Sequence, residues 1–142
     1  MKYTPMVRKA MKIAYEAHHG QTDKAGVPYI FHPIHLAEQM EDEISICVSL
    51  LHDVVEDTNV TEENLRQEGI SEKVIGNVKL LTKGKDEDYM KYLERVKSSE
   101  VAVKVKIADL KHNSDVSRLT DITEKDRKRL EKYKKAMEYL TH

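Results

Sequence analysis

One stretch near the middle of the chain, Ile44 to Asp57, restricts the fold more than any other. Ile46, Val48, Leu50, Leu51, Val54 and Val55 make it apolar nearly all round. A helix with that pattern has to be central. Yet the same stretch carries His52, Asp53, Glu56 and Asp57. In a continuous helix opened at Glu43 or Ser45, Glu56 follows His52 by one turn and Asp57 follows Asp53, each pair on one face. A buried charge without a partner costs several kcal/mol or shifts its pKa. A bound metal ion is one compensation. An ordinary helix end is the other, with Glu56 and Asp57 exposed and His52 a satisfied core histidine. A His-Asp doublet inside an apolar run favours the ion.

The rest of the chain reads as helix. Charged residues make up 35% and hydrophobic residues 39%, with only 5 Gly and 3 Pro in 142 residues. Thr4-Pro5 opens a helix with a hydroxyl cap and a first-turn proline, ending near His19-Gly20. Residues 20–31 form a loop, and Pro33 restarts a helix to about Met40. Thr61 and Ser71 cap two short helices split by Gly69. Residues 83–88 are a solvated turn before an amphipathic Tyr89–Val96. Thr123 and Asp126 form a capping box before a terminal helix, with Leu130, Tyr133, Ala136, Met137 and Leu140 on one face. Val101, Val103, Val105 and Ile107 alternate as in a strand, but no second strong strand exists to pair with them, so helix is the reading. The expectation is one all-α domain, residues 1–142, of about six to eight helices.

Charge and cysteine content narrow the classes. Lys plus Arg is 24 and Asp plus Glu is 25, giving a net charge of −1. Non-specific binding to duplex nucleic acid depends on excess basic charge, so no duplex nucleic-acid partner is expected. Cys47 is the single cysteine and reads as a core residue in a reducing, cytoplasmic setting. No apolar run is long enough to span a bilayer, and MKYTPMVRKAMK lacks a secretory signal. No membrane partner is expected.

His32 and Asp109 can complete a ligand set with His52 and Asp53. His32 stands at a helix start before Pro33, and Asp109 is a carboxylate within an apolar stretch. Two imidazoles and two carboxylates suit Mn²⁺, Fe²⁺ or Zn²⁺ better than Ca²⁺, and lack the thiolates of structural zinc. His18 and His19 read as a helix end, His35 as a residue behind the ligands, and His112 and His142 as weaker candidates.

Four stretches carry a family resemblance. They are Ala17-His18-His19-Gly20-Gln21 through Pro28-Tyr29-Ile30-Phe31-His32-Pro33-Ile34; Leu50 through Thr58; Val78 through Lys83; and Val105 through Asn113. Together they resemble the HD superfamily of metal-dependent phosphohydrolases, and within it the RelA/SpoT-type alarmone hydrolases. The resemblance implies an all-α HD fold. It also implies one Mn²⁺ on His32, His52, Asp53 and Asp109, other divalent metals being an alternative. Glu56 and Asp57 match the family's catalytic pair, and Lys24, Lys106 and Asn113 match positions near the nucleotide.

The implied activity is removal of the 3′-pyrophosphate from a guanosine polyphosphate. One departure stands out. Asp23-Lys24 replaces the family's basic pair, in which an arginine packs on guanine, and a carboxylate cannot stack as guanidinium does. The second expectation is therefore an HD phosphohydrolase for another nucleotide or phosphate ester. The third is a non-catalytic nucleotide-binding HD domain, disfavoured because a sensor need not keep Glu56 and Asp57. The chain length leaves room for a hydrolase domain without a synthetase portion.

Overall fold

A computed structural model describes residues 1–142, apart from the side chain of Arg118. The order is α1 (Pro5–Ala17), α2 (Phe31–Glu38), α3 (Glu43–Leu51), α4 (Val54–Asp57), α5 (Glu62–Gln67), α6 (Glu72–Leu81), α7 (Tyr89–Val96), α8 (Glu100–Asn113), a 3-10 turn at Val116–Arg118, and α9 (Glu124–Thr141). Counting α3 and α4 as one broken helix gives eight helices. Among the described residues no strand forms, and β pairing is limited to an isolated bridge between Thr22 and Pro28. None of these helices is long and apolar enough to cross a membrane.

α3 is the centre, as its apolar pattern requires. Every residue from Ser45 to Leu51 is buried, and α1, α2, α6 and α8 pack around it. Cys47 lies in this core, where burial pushes its thiol up to about 12. The caps fall where the hydroxyl and carboxylate residues stand. Thr4, Thr61, Ser71, Asp88, Ser99 and Thr123 each accept a backbone N–H from the first turn of their helix. Each such cap is worth about 1 kcal/mol.

The alternating 101–107 segment is helical. α8 is buried at Ala102, Val105, Ala108, Asp109 and Leu110, and Val101, Val103 and Ile107 pack partly against the core. It touches α2, α3, α6, α7 and α9. A helix enclosed on several sides needs apolar residues on several faces, which blurs the 3.6-residue period.

The central helix differs from the continuous one expected from its pattern. It stops at Leu51, turns through His52 and Asp53, and resumes for one turn at Val54. Asp53 has φ −103 and ψ −2, about 40° from the α-helical mean in each angle. The Asp57 N–H still donates to the Asp53 carbonyl at 2.9 Å. The i, i+4 relation survives, but the corner turns His52 and Asp53 together toward one place.

Candidate active site

The corner, α2 and α8 bring four side chains together. One ligand atom from each of His32, His52, Asp53 and Asp109 lies within 4.8 Å of the others. His32 and His52 are buried with Asp109, and Asp53 is half-buried. His32 Nε2 is 2.8 Å from Asp109 Oδ1. His52 Nε2 is 2.9 Å from Asp53 Oδ2 and 3.4 Å from Asp109 Oδ1.

These atoms meet the requirements of a cation site. His52 Nδ1 faces the Ser49 carbonyl at 2.7 Å. A carbonyl only accepts, so Nδ1 carries the proton and Nε2 can offer a lone pair. Although His52 Nε2 sits close to two carboxylate oxygens, it makes no hydrogen bond of acceptable direction. His32 Nε2 meets Asp109 Oδ1 directly, while the His52 lone pair converges on the same oxygen without a bond of its own, an arrangement a shared ion fits. An N2O2 donor set suits a borderline divalent metal.

Without an ion, protons do the compensating. Burial alone would lower His52, but the Asp53 and Asp109 carboxylates outweigh it and hold the imidazole well above its usual range. Burial would raise Asp53, and His52 outweighs it downward. Asp109 is also pushed up by burial, then held well below the carboxylate range by Lys106 and His32.

The surroundings orient these four side chains. Lys106 Nζ is 3.1 Å from Asp109 Oδ2, and Asn113 Nδ2 donates to Asp109 Oδ1 at 3.2 Å. Burial would lower Lys106, but Asp109 and then Tyr92 and Tyr89 raise it. Tyr29 donates its hydroxyl hydrogen bond to Asp53 Oδ2, and burial followed by the Asp53 charge keeps that phenol protonated. His112 Nδ1 lies 2.6 Å from His32 Nδ1, and the His35 ring sits 4.3 Å from the His112 ring.

Glu56 and Asp57 stand one turn past His52 and Asp53, at the exposed rim. Glu56 Oε1 accepts the Lys83 N–H at 2.7 Å. That amide is held in turn by Arg95, which donates to the carbonyls of Lys79, Leu80 and Thr82 at the end of α6. The Asp57 carbonyl accepts from Gln21 Nε2 at 3.2 Å. Both carboxyls reach solvent, yet the rim is crowded. Partial burial raises both, with the Asp53 charge adding to it and the Lys83 N–H opposing it at Glu56.

Beside these four residues opens a cleft of about 270 Å³ lined by Asp23, Lys24, Tyr29, Asn113, Arg129 and Tyr133 among others. Lys24 is exposed at its mouth, and partial burial followed by the nearby Arg129 lowers its pKa. Asp23 Oδ1 accepts the N–H groups of Ala25 at 2.8 Å and Val27 at 3.0 Å, shaping its own loop. Of the residues expected near a nucleotide, Lys24 and Asn113 face this cleft, while Lys106 is turned to Asp109. A larger groove of about 670 Å³ lies elsewhere, along α8 and the end of α9, and is lined by none of these four residues.

No family model matches the sequence. The chain is 33% identical over 121 residues to the bifunctional (p)ppGpp synthase/hydrolase SpoT of Escherichia coli K12, covering 75% of this chain and 17% of that protein. It is 35% identical over 115 residues to a guanosine-3′,5′-bis(diphosphate) 3′-pyrophosphohydrolase of Haemophilus influenzae, covering 71% of this chain and 17% of that one. It belongs to the SpoT/RelA-type HD domains. A solved structure described as a metazoan ortholog of SpoT that hydrolyzes ppGpp superposes with a TM-score of 0.80 at 24% identity, over 99% of this chain and 87% of that one. The likeness fixes the all-α HD fold. The HD domain spans less than a fifth of the length of these curated relatives.

Sequence reasoning missed His18, Gln21 and Tyr29 as parts of the site and ranked His112 as weak. The signal available was weak too. Each stands in or beside a loop, or at a helix end, where spacing says little about direction.

Proposed function

We propose that the chain, acting as a single hydrolase domain over residues 1–142, is a metal-dependent nucleotide phosphohydrolase. The substrate is guanosine 3′,5′-bis(diphosphate), from which the 3′-pyrophosphate is removed. The observation that carries this reading is the convergence of His32, His52, Asp53 and Asp109, with Glu56 and Asp57 at the rim one turn beyond. The names of the SpoT-type relatives support the substrate class.

His32, His52, Asp53 and Asp109 would hold the ion, with Mn²⁺ the species proposed from the donor set. When bound, a divalent cation polarises a phosphoryl oxygen and activates water. The chain's own residues do the rest. Glu56 and Asp57, both raised toward the proton-accepting range, orient the attacking water and take its proton. Their fixed positions come from the Lys83 N–H and from Gln21. Lys24 and Asn113 steady the polyphosphate and ribose from the cleft wall, and Lys106 keeps Asp109 ionised.

A second substrate reading rests on Asp23. Its carboxylate organises the 23–27 turn where a stacking guanidinium would stand, so base preference is set by other cleft residues. The test is purified protein with added Mn²⁺ on a panel of guanine, adenine and pyrimidine nucleotides bearing 3′- and 5′-phosphates. Release of pyrophosphate from guanosine 3′,5′-bis(diphosphate) is the expected result. Turnover confined to another nucleotide moves the proposal to that substrate, and no turnover of any overturns it.

A further inference from the structure

The loop between α1 and α2 touches the 52–57 corner at two points, Gln21 at Asp57 and Tyr29 at Asp53. α1 ends at Ala17 and His18 caps it. Gly20 takes φ +87, a left-handed conformation open to glycine. That turn lets the Gln21 N–H donate to the His18 carbonyl at 3.0 Å and brings the Gln21 amide to the His18 ring. Gln21 Nε2 donates to the Asp57 carbonyl, which can only accept, so the amide has one orientation. Gln21 Oε1 is then the acceptor that faces His18 Nδ1 at 2.8 Å. It follows that His18 carries its proton on Nδ1.

The chain then doubles back. Thr22 bridges to Pro28, and the Tyr29 N–H donates to the Gln21 carbonyl at 2.8 Å. The Tyr29 ring packs on the His18 ring, centroids 4.8 Å apart, and its hydroxyl reaches Asp53. His18 thus touches both residues that hold the corner, Gln21 at Asp57 and Tyr29 at Asp53. It is 2% exposed, and its Nε2 has no partner in the protein. An unpaired buried nitrogen is costly. An apolar side chain would serve packing better, so the imidazole is kept for its Nδ1–H.

We infer that His18 is a positioning residue. It locks Gln21 and Tyr29 into a two-point clamp that sets the Asp53 side chain and the Asp57 backbone for hydrolysis, an inference that rests on the proposed function.

The experiment compares His18→Phe, His18→Asn, His18→Gln and Gln21→Met with wild type, using guanosine 3′,5′-bis(diphosphate) and saturating Mn²⁺. Asn places an N–H near the Nδ1 position, whereas the Gln amide falls near Nε2. His18→Phe and Gln21→Met should each lower kcat at saturating Mn²⁺ by about 10–100-fold, with KM nearly unchanged. His18→Asn should restore most of kcat and His18→Gln should not. The double variant His18→Phe/Gln21→Met should be no slower than either single one. Imidazole ¹⁵N spectra of the wild type should show His18 as the Nδ1–H tautomer.

Wild-type kcat in folded His18→Phe and Gln21→Met, rescue by Gln instead of Asn, or an Nε2–H tautomer would overturn the clamp. Gln21 is only half-buried, so its variant keeps the test open should His18→Phe fail to fold. A wild type without turnover sinks the proposed function, while the tautomer is still read from the spectra.

Discussion

Two regions deliver a carboxylate to the same place by different means. The α8 region delivers Asp109 from inside a regular helix. Its partners Lys106 and Asn113 are one turn away on the same helix, so helical geometry alone sets the group. The 52–57 corner delivers Asp53 from a broken helix. Its partners His52 and Tyr29 come from the break itself and from a loop remote in sequence. Helix-borne groups are prearranged by local structure, and corner-borne groups depend on tertiary contacts. Both regions supply groups to the proposed ion site; the contrast is that α8 sets Asp109 locally, whereas His52, Asp53 and the rim carboxyls beyond them depend on tertiary contacts.

The largest effects should fall where the two regions meet. His52→Ala and Asp109→Ala should each remove Mn²⁺ binding and turnover together. The loss of affinity, read by titration calorimetry, should exceed the roughly 10–100-fold expected for a residue that only supports a ligand. Tight binding retained in either variant would break the shared-site account.

Next come Glu56→Gln and Asp57→Asn, which separate the corner's rim carboxyls from its His52 and Asp53. Each should lower kcat by about 10²–10⁴-fold while Mn²⁺ affinity stays near wild type. A parallel loss of metal would place these carboxyls among the ligands instead.

Lys106→Met tests the α8 side. It leaves Asp109 buried with one fewer cation, and folding stability should drop by about 2 kcal/mol in urea denaturation. An unchanged midpoint would show that His32 and Asn113 suffice to hold the carboxylate.

The smallest effect is a pH trend. In the ion-free protein the His52 pKa lies above its ordinary 6.5. Protonated His52 therefore stabilises the fold fully below pH 6.5, and that contribution is lost as pH rises through the folded value. Ion binding needs the same nitrogen unprotonated. The rise in Tm on adding Mn²⁺ should thus be small below about pH 6.5 and grow above it. A shift that shrinks with rising pH would contradict this linkage.

The helices themselves were legible because their signals are local. Thr4-Pro5, Ser71 and the Thr123–Asp126 box name their own helix starts, and α7 begins and ends where its pattern does. The break at His52-Asp53 was not legible, because the pattern 46–55 is helical throughout and the cause of the break is tertiary. His32 and Asp109 could be singled out because each interrupts an apolar surrounding, and the structure brings them together with His52 and Asp53. The roles of His18, Gln21 and Tyr29 could not, since they come from a tight turn at Gly20 and a return through the 22–28 bridge. Lys106 shows the same limit. The resemblance places it near the nucleotide, and the fold shows its ammonium beside Asp109 as well.

The central claim is one ion held by four residues and used for hydrolysis. It is tested most directly by titrating Mn²⁺ into the protein while following pyrophosphate release from guanosine 3′,5′-bis(diphosphate). The account predicts that activity rises to a plateau at one Mn²⁺ per chain, and that Asp53→Ala neither binds the ion nor releases product. One equivalent bound by Asp53→Ala as tightly as by wild type, or a wild type loaded with one Mn²⁺ that releases nothing, would contradict it.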